Sequence, residues 1–186
     1  MCIALCKRES ISLQDRKVVL RIPKMSDVKT MLAFINSLVA EDAQILVNKK
    51  STPKEEKAWL VRVLGRVRKN KMHIISAFYG KECIGSVTLE KGMWRESHVG
   101  TLGLAVKQNF RGFGLGTLLL KKIIAIAERD SGVRVLSLKV QGMNKAAQKL
   151  YRKLGFKTVA KLPNRSLYKG KYQDEYVMDY PLRKIS

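Results

Sequence analysis

The chain has 186 residues, enough for one domain with a real core and short for two. Hydrophobic residues make up 46% and charged residues 28%, which excludes a disordered tail, and no apolar run approaches the roughly 18 to 20 residues of a membrane span. Against 15 Asp and Glu stand 37 Lys and Arg, a net charge of +22 that asks for an anionic partner without naming one. The apolar residues 1–6 are cut off by Lys7 and Arg8, too soon for a secretory leader, so a soluble cytoplasmic protein without membrane partners is expected. Three cysteines, Cys2, Cys6 and Cys83, and two histidines make neither a disulfide framework nor an evident metal site, so free thiols and no metal are expected.

In chain order, residues 17–22 alternate and stop at Pro23, a first strand. Ser26 reads as the N-cap of a helix carrying Met31, Leu32, Ile35 and Leu38 at helical spacing. A second helix starts at Pro53, with Glu55 and Glu56 in its first turn, and continues through Trp59, Leu60, Val63 and Leu64. Residues 72–79, 83–90 and 99–106 form a three-strand meander, the first two joined at Gly80-Lys81-Glu82. Helix 115–129 is apolar almost all round and ends at Ser131-Gly132, strand 133–140 is interior in character, and Asn144 caps a helix that stops at Gly155. Strands 156–160 and 175–179 close the chain. The order predicts a single α/β domain over 1–186 with a sheet of mixed direction.

Two segments carry chemistry. Gln108-Asn109-Phe110-Arg111-Gly112-Phe113-Gly114-Leu115-Gly116-Thr117 joins a strand to the long helix. Its glycines free the backbone N–H groups to face an anion, and the helix N-terminus adds about half a positive charge, a turn fit for a pyrophosphate or for tight packing. It lacks the Gly-Lys-Ser/Thr of a P-loop and the spacing of a dinucleotide fingerprint. In the second segment, Ala147, Leu150, Tyr151 and Leu154 make one apolar face on the helix capped by Asn144, where Tyr151 taken alone reads as a core aromatic.

Leu104-Ala105-Val106 with Arg111-Gly112-Phe113-Gly114-Leu115-Gly116 resembles the acetyl-CoA motif Gln/Arg-x-x-Gly-x-Gly/Ala of the GNAT superfamily of N-acetyltransferases. Asn144-x-x-Ala147-x-x-x-Tyr151-x-x-x-Gly155-Phe156 resembles that superfamily's second signature, in the right order after a helix and a strand. The resemblance implies a mixed, mostly antiparallel central sheet, splayed at the acetyl-CoA site and flanked by helices, with the cofactor-binding core at about 99–160. It implies that Leu104, Ala105 and Val106 line the pantetheine arm, that Arg111, Gly112, Phe113, Gly114, Leu115, Gly116 and Thr117 wrap the pyrophosphate, that Asn144 binds the arm, and that Tyr151 meets the sulfur as general acid. The implied reaction is direct attack of a primary amine, of a small molecule or a protein, on acetyl-CoA in a ternary complex.

A base is harder to place. Many relatives carry a glutamate where Thr101 stands, and threonine takes no proton at neutral pH. His98, on the same strand parity as Leu102 and Leu104, is a candidate acting through water, with packing as the blander reading; Glu90, Glu96, Asp174 and Glu175 are further candidates. Cys83 reads as a core thiol, and Met93-Trp94 as either a lid on the acceptor side or surface packing. Residues 106–171 hold 16 basic residues against Glu128 and Asp130, which leaves Glu41, Asp42, Glu55, Glu56, Asp174 and Glu175 for an acceptor side. The charge also supports an alternative, a nucleic-acid-binding module on the same fold, and a hybrid that acetylates a protein within an RNA-rich complex. Monomer and homodimer are both compatible with these residues.

Overall fold

In the computed structural model, residues 8–13, 15–45, 47–130 and 132–182 are described. Eight strands form one sheet in the order β1-β2-β3-β4-β5-β6-β8-β7: β1 (Glu9–Leu13), β2 (Arg16–Arg21), β3 (Met72–Tyr79), β4 (Glu82–Lys91), β5 (Val99–Val106), β6 (Val135–Gln141), β7 (Lys157–Tyr168) and β8 (Lys171–Pro181). All neighbours are antiparallel except β5 and β6. Four helices flank it: α1 (Val28–Ala40), α2 (Pro53–Arg68), α3 (Leu115–Arg129) and α4 (Lys145–Lys153).

Strand parity sorts the core. Val87 and Leu89 of β4, Leu102 and Leu104 of β5, and Leu136, Leu138 and Val140 of β6 pack with Leu115, Leu119, Leu120 and Ile123 of α3 in one continuous cluster. The other face is divided. Met31, Phe34 and Leu38 of α1 cover Phe78 and Cys83, while Val63 and Val67 of α2 cover Met72 and Ile74. Between them β3 and β4 present Ser76 and Ser86, whose hydroxyls lie 3.0 Å apart.

The predicted elements recur with informative differences. Ser26 does not cap α1: residues Met25–Asp27 form a 3-10 turn, in which Asp27 accepts from the Lys24 N–H at 2.6 Å and pairs with Arg21. Thr52 does cap α2, in a reciprocal box with Glu55. β1 was not foreseen, and the closing strands are far longer than 156–160 and 175–179. They form a hairpin turned at Lys169 and Gly170, both at positive φ (49° and 72°), which matches the right-handed twist of the flanking strands. Pro163 falls inside a register shift between Leu162 and Ser166 on the edge strand β7, where its missing N–H costs little. Cys2, Cys6 and Ser131 lie outside the described residues. No helix among the described residues is long and apolar enough to cross a membrane.

Candidate acetyl-CoA and acceptor site

β5 and β6 pair only over Val99, Gly100 and Thr101 against Val135, Leu136 and Ser137. Beyond that point β5 stays with β4 as far as Val106 opposite Gly85, and β6 stays with β8 as far as Gln141 opposite Glu175, so a gap opens between two supported strands. The Lys107 N–H donates to the Ile84 carbonyl at 2.9 Å, which sets the phase of the β4–β5 ladder. Leu102, Leu104 and Val106 therefore turn their peptide groups into the gap. One of these is taken: Arg111 Nε donates to the Val106 carbonyl at 2.8 Å.

The glycine-rich turn sits at the open end of this gap. Gly112 and Gly114 have φ of 82° and 86°, and a Cβ on either would meet nothing within 4 Å, so both are needed for backbone conformation and both face open space. Gly116 has a different reason. A Cβ there would lie 3.3 Å from Leu150 of α4, 3.7 Å from Leu104 and 3.8 Å from Val106, so this glycine lets α3, α4 and β5 meet. The two motifs thus converge on one point. The Leu115 side chain is buried in the core and Phe113 is exposed, so Leu115 offers an anion its backbone only. Arg111 likewise binds inward, to the Val106 carbonyl and to Glu41 at the end of α1; Glu41 also accepts from the Gln108 N–H at 3.2 Å. Thr117 is half-buried in the first turn of α3.

Asn144 caps α4 through Ala147 N–H at 3.1 Å. Gln148, not singled out from the sequence, ties α4 to the end of β6 by donating to the carbonyls of Gln141 and Gly142 at 3.1 and 2.9 Å. Tyr151 is 7% exposed, with its ring edge-on to Phe156, and burial pushes its hydroxyl up to about 12. It is a firmly protonated phenol at neutral pH.

Of the base candidates only Glu175 lies beside the gap, buried on β8 opposite Gln141 with its carboxylate 3.6 Å from Lys139. His98 is exposed in the turn ahead of β5, one residue short of the strand on which parity placed it, and its carbonyl holds Arg134. It stands at the paired end, roughly 13 Å along the strand direction from Leu102. Glu96 is exposed in the same connection, beside Trp94, which is 86% exposed and covers nothing there. Glu90 pairs with Arg66 at 2.9 Å, and Asp174 with Lys161 at 2.8 Å. Asp42 pairs with Lys169 and Glu55 caps α2, so the six acids expected to mark an acceptor side are mostly committed to separate partners. Cys83 is buried, its thiol pushed up to about 12 by desolvation, which suits core packing.

Glu56 differs from all of these. It continues the sheet-facing stripe of Leu60, Val63 and Val67, is 5% exposed, and its carboxyl has no hydrogen-bond or ion-pair partner among the described residues. Desolvation raises its pKa. The sequence placed it among the acids of an acceptor side and in the first turn of α2, and the periodicity that buries it was not used.

A strand edge with free peptide groups, ending at an open-backbone turn before a helix N-terminus, fits an extended chain that ends in a pyrophosphate, as acetyl-CoA does. Comparison with known proteins agrees. Residues 34–156 match the model of the acetyltransferase (GNAT) family. Among curated proteins, N-alpha-acetyltransferase 30 of Xenopus laevis is 39% identical over 85 residues, covering 43% of this chain; the match spans under a third of that relative's length. An acetyltransferase of the GNAT family from Streptococcus pneumoniae superposes with a TM-score of 0.79 at 25% identity, over 88% of this chain and 99% of that one. A putative acetyltransferase from Salmonella typhimurium, solved with its cofactor acetyl-CoA, gives 0.78 at 20% identity over 91% and 96%.

Proposed function

The chain belongs to the GNAT acetyltransferase family, an acyltransferase using acetyl-CoA, and we propose that its acceptor is the α-amine of a protein or peptide. The observation that carries this reading is the gap between β5 and β6. It joins the glycine-rich turn to the sheet face that carries α1 and α2, where the Glu56 side chain is buried with no hydrogen-bond or ion-pair partner among the described residues. Acetyl-CoA supplies an activated acetyl thioester. The peptide groups of Leu104 and Val106 hold its arm, the turn from Gly112 to Gly116 takes the pyrophosphate, and Asn144 fixes the start of α4 beside it.

Tyr151 then faces the leaving sulfur. Full transfer from a phenol near 12 to a thiolate of pKa about 8.5 is uphill by about 5 kcal/mol, so its first contribution is a hydrogen bond that strengthens as charge builds on sulfur. An α-amine of pKa about 8 is roughly a tenth neutral at pH 7, whereas a lysine amine is almost wholly charged, which favours the α-amine in a site without the glutamate that many relatives carry at Thr101. The N-alpha-acetyltransferase among its relatives supports the same acceptor. The test is an array of peptides with free N-termini, one for each leading residue, incubated with acetyl-CoA and read by mass spectrometry. Acetylation of a subset is expected; acetylation of small polyamines alone would contradict the reading.

A second observation favours an acceptor held within an RNA-rich complex. Lys145, Lys149, Arg152 and Lys153 share the outer face of α4, all exposed and none in an ion pair among the described residues.

A further inference from the structure

We propose that the Glu56 carboxylate is the group that receives the acceptor, holding its ammonium at the mouth of the β5–β6 gap and taking its proton before attack. This rests on the N-acetyltransferase reading above and adds the residue that the missing glutamate at Thr101 leaves unassigned.

An isolated carboxylate inside a protein is costly unless something cationic or donating comes to meet it. The Glu56 side chain is 5% exposed with no partner among the described residues, and it lies on the side of the sheet that carries α1 and α2. Thr101 and Gly103 of β5 lie on the sheet face that carries α1 and α2, because Leu102 and Leu104 face α3. The intervening surface is polar: Ser76 and Ser86 lie between the two apolar clusters, and Thr88 stands opposite Gly103, its hydroxyl 2.9 Å from where a Cβ on that glycine would be. Across the sheet Thr88 and Ser86 stand opposite Gly103 and Ala105, in the stretch of β5 beyond its last pair with β6. The entry to α2 is tied to α1 by Asn36, which donates to the Ser51 carbonyl at 3.0 Å and accepts from the Ser51 N–H at 2.8 Å.

The far side of the gap points to the same kind of ligand. Gln141 Oε1 of β6 and Asp179 Oδ1 of β8 are buried without a hydrogen-bond partner among the described residues. Both lie on the face turned away from Leu136, Leu138 and Val140, which is the face of Glu56. Unsatisfied acceptors on one side and an unpaired carboxylate on the other suit a cation followed by N–H donors, such as the first residues of a peptide. In the transfer, one ammonium proton passes to Glu56, the nitrogen lone pair forms the N–C bond, the C–S bond breaks, and the second nitrogen proton leaves as the sulfur gains one, with Tyr151 hydrogen-bonded to the sulfur and handing the proton on. Glu56 then returns its proton to solvent.

The experiment compares wild type, Glu56→Gln and Glu56→Asp on the peptide that the wild type acetylates fastest in the N-terminal array, with acetyl-CoA affinity by calorimetry and thermal unfolding measured alongside. Glu56→Gln should lower kcat/KM for the peptide by about 10²-fold or more, leave acetyl-CoA affinity unchanged, and melt no lower than wild type, because a neutral amide is easier to bury. Glu56→Asp, which keeps the charge one methylene further back, should fall between. Full activity of a folded Glu56→Gln enzyme would overturn the proposal, and so would equal losses in both variants accompanied by a lower melting temperature, which would mark a packing role. A wild type that binds acetyl-CoA yet acetylates no peptide would overturn the acceptor reading itself, and the proposal with it.

Discussion

The two faces of the sheet are built on different terms. The α3 face is one apolar body from β2 to β8, with Leu115, Leu119, Ile123 and Leu136 fully buried. The α1 and α2 face has two small clusters with hydroxyls between them and a buried carboxylate above. Removing hydrophobic contact from the middle of a sheet costs stability, and the first face offsets it. One face holds the fold and sets the glycine-rich turn; the other is the one on which we propose that the acceptor binds.

The largest expected effect tests whether Tyr151 belongs to chemistry or to the packed face. Tyr151→Phe keeps the ring against Phe156 and should lower kcat by about 10²-fold, between the loss of a hydrogen bond to a charged group and that of a general acid, with acetyl-CoA affinity little changed. Near-normal kcat with chemistry rate-limiting would return it to the core. Next, Gly114→Asp should weaken acetyl-CoA binding more than tenfold while the protein still folds. Its side chain would project into the open space of the turn and repel a phosphate, at a backbone cost of about 1 kcal/mol. Calorimetry showing unchanged affinity would remove the pyrophosphate from this turn.

Asp130 probes the supporting face alone. It lies at the end of α3, pairs with Lys91 and sits 3.3 Å from His73 Nε2, all largely buried. Hydrogen bonds from Lys91, the Gly132 N–H and His73 outweigh desolvation and hold its carboxyl below the usual range. Its stabilisation is therefore present above the unfolded value near 3.9 and is lost as pH falls through the lower folded value. Asp130→Asn should cost about 1 to 3 kcal/mol in denaturant unfolding at pH 7, with kcat unchanged and the difference vanishing in acid. A kcat loss instead would mean that the two faces are not separate in function. The smallest effect is expected at Glu41, which bridges the faces by binding Arg111 and the Gln108 N–H. Removing a negative charge beside the phosphate turn should tighten acetyl-CoA binding in Glu41→Gln by about two- to fivefold. Weaker binding would show that Glu41 supports the turn.

What was legible in the sequence follows the same division. The turn and the Asn144 helix could be read because glycines at fixed offsets and a 3.6-residue period are local signals, and Leu104, Gly116 and Leu150 do meet. The hairpin of β7 and β8 was seen only in part, since Lys157, Lys161, Arg165 and Pro163 suppress strand character on an edge where no core demands alternation. His98 was drawn toward the site by extending strand parity past the strand's end. Glu56 was grouped by charge with five other acids on an acceptor side, and its burial was missed because the dipole of α2 accounts for a first-turn acid, an explanation that suits Glu55 but not a residue in step with Leu60 and Val63.

The central claim is most directly tested on a single peptide carrying both a free N-terminal α-amine and an internal lysine, incubated with acetyl-CoA and the wild-type protein, with the acetylated position located by fragmentation in the mass spectrometer. Acetylation of the α-amine with the lysine untouched is expected. Acetyl transfer to the lysine in preference, or to neither amine across N-terminal residues, would contradict it.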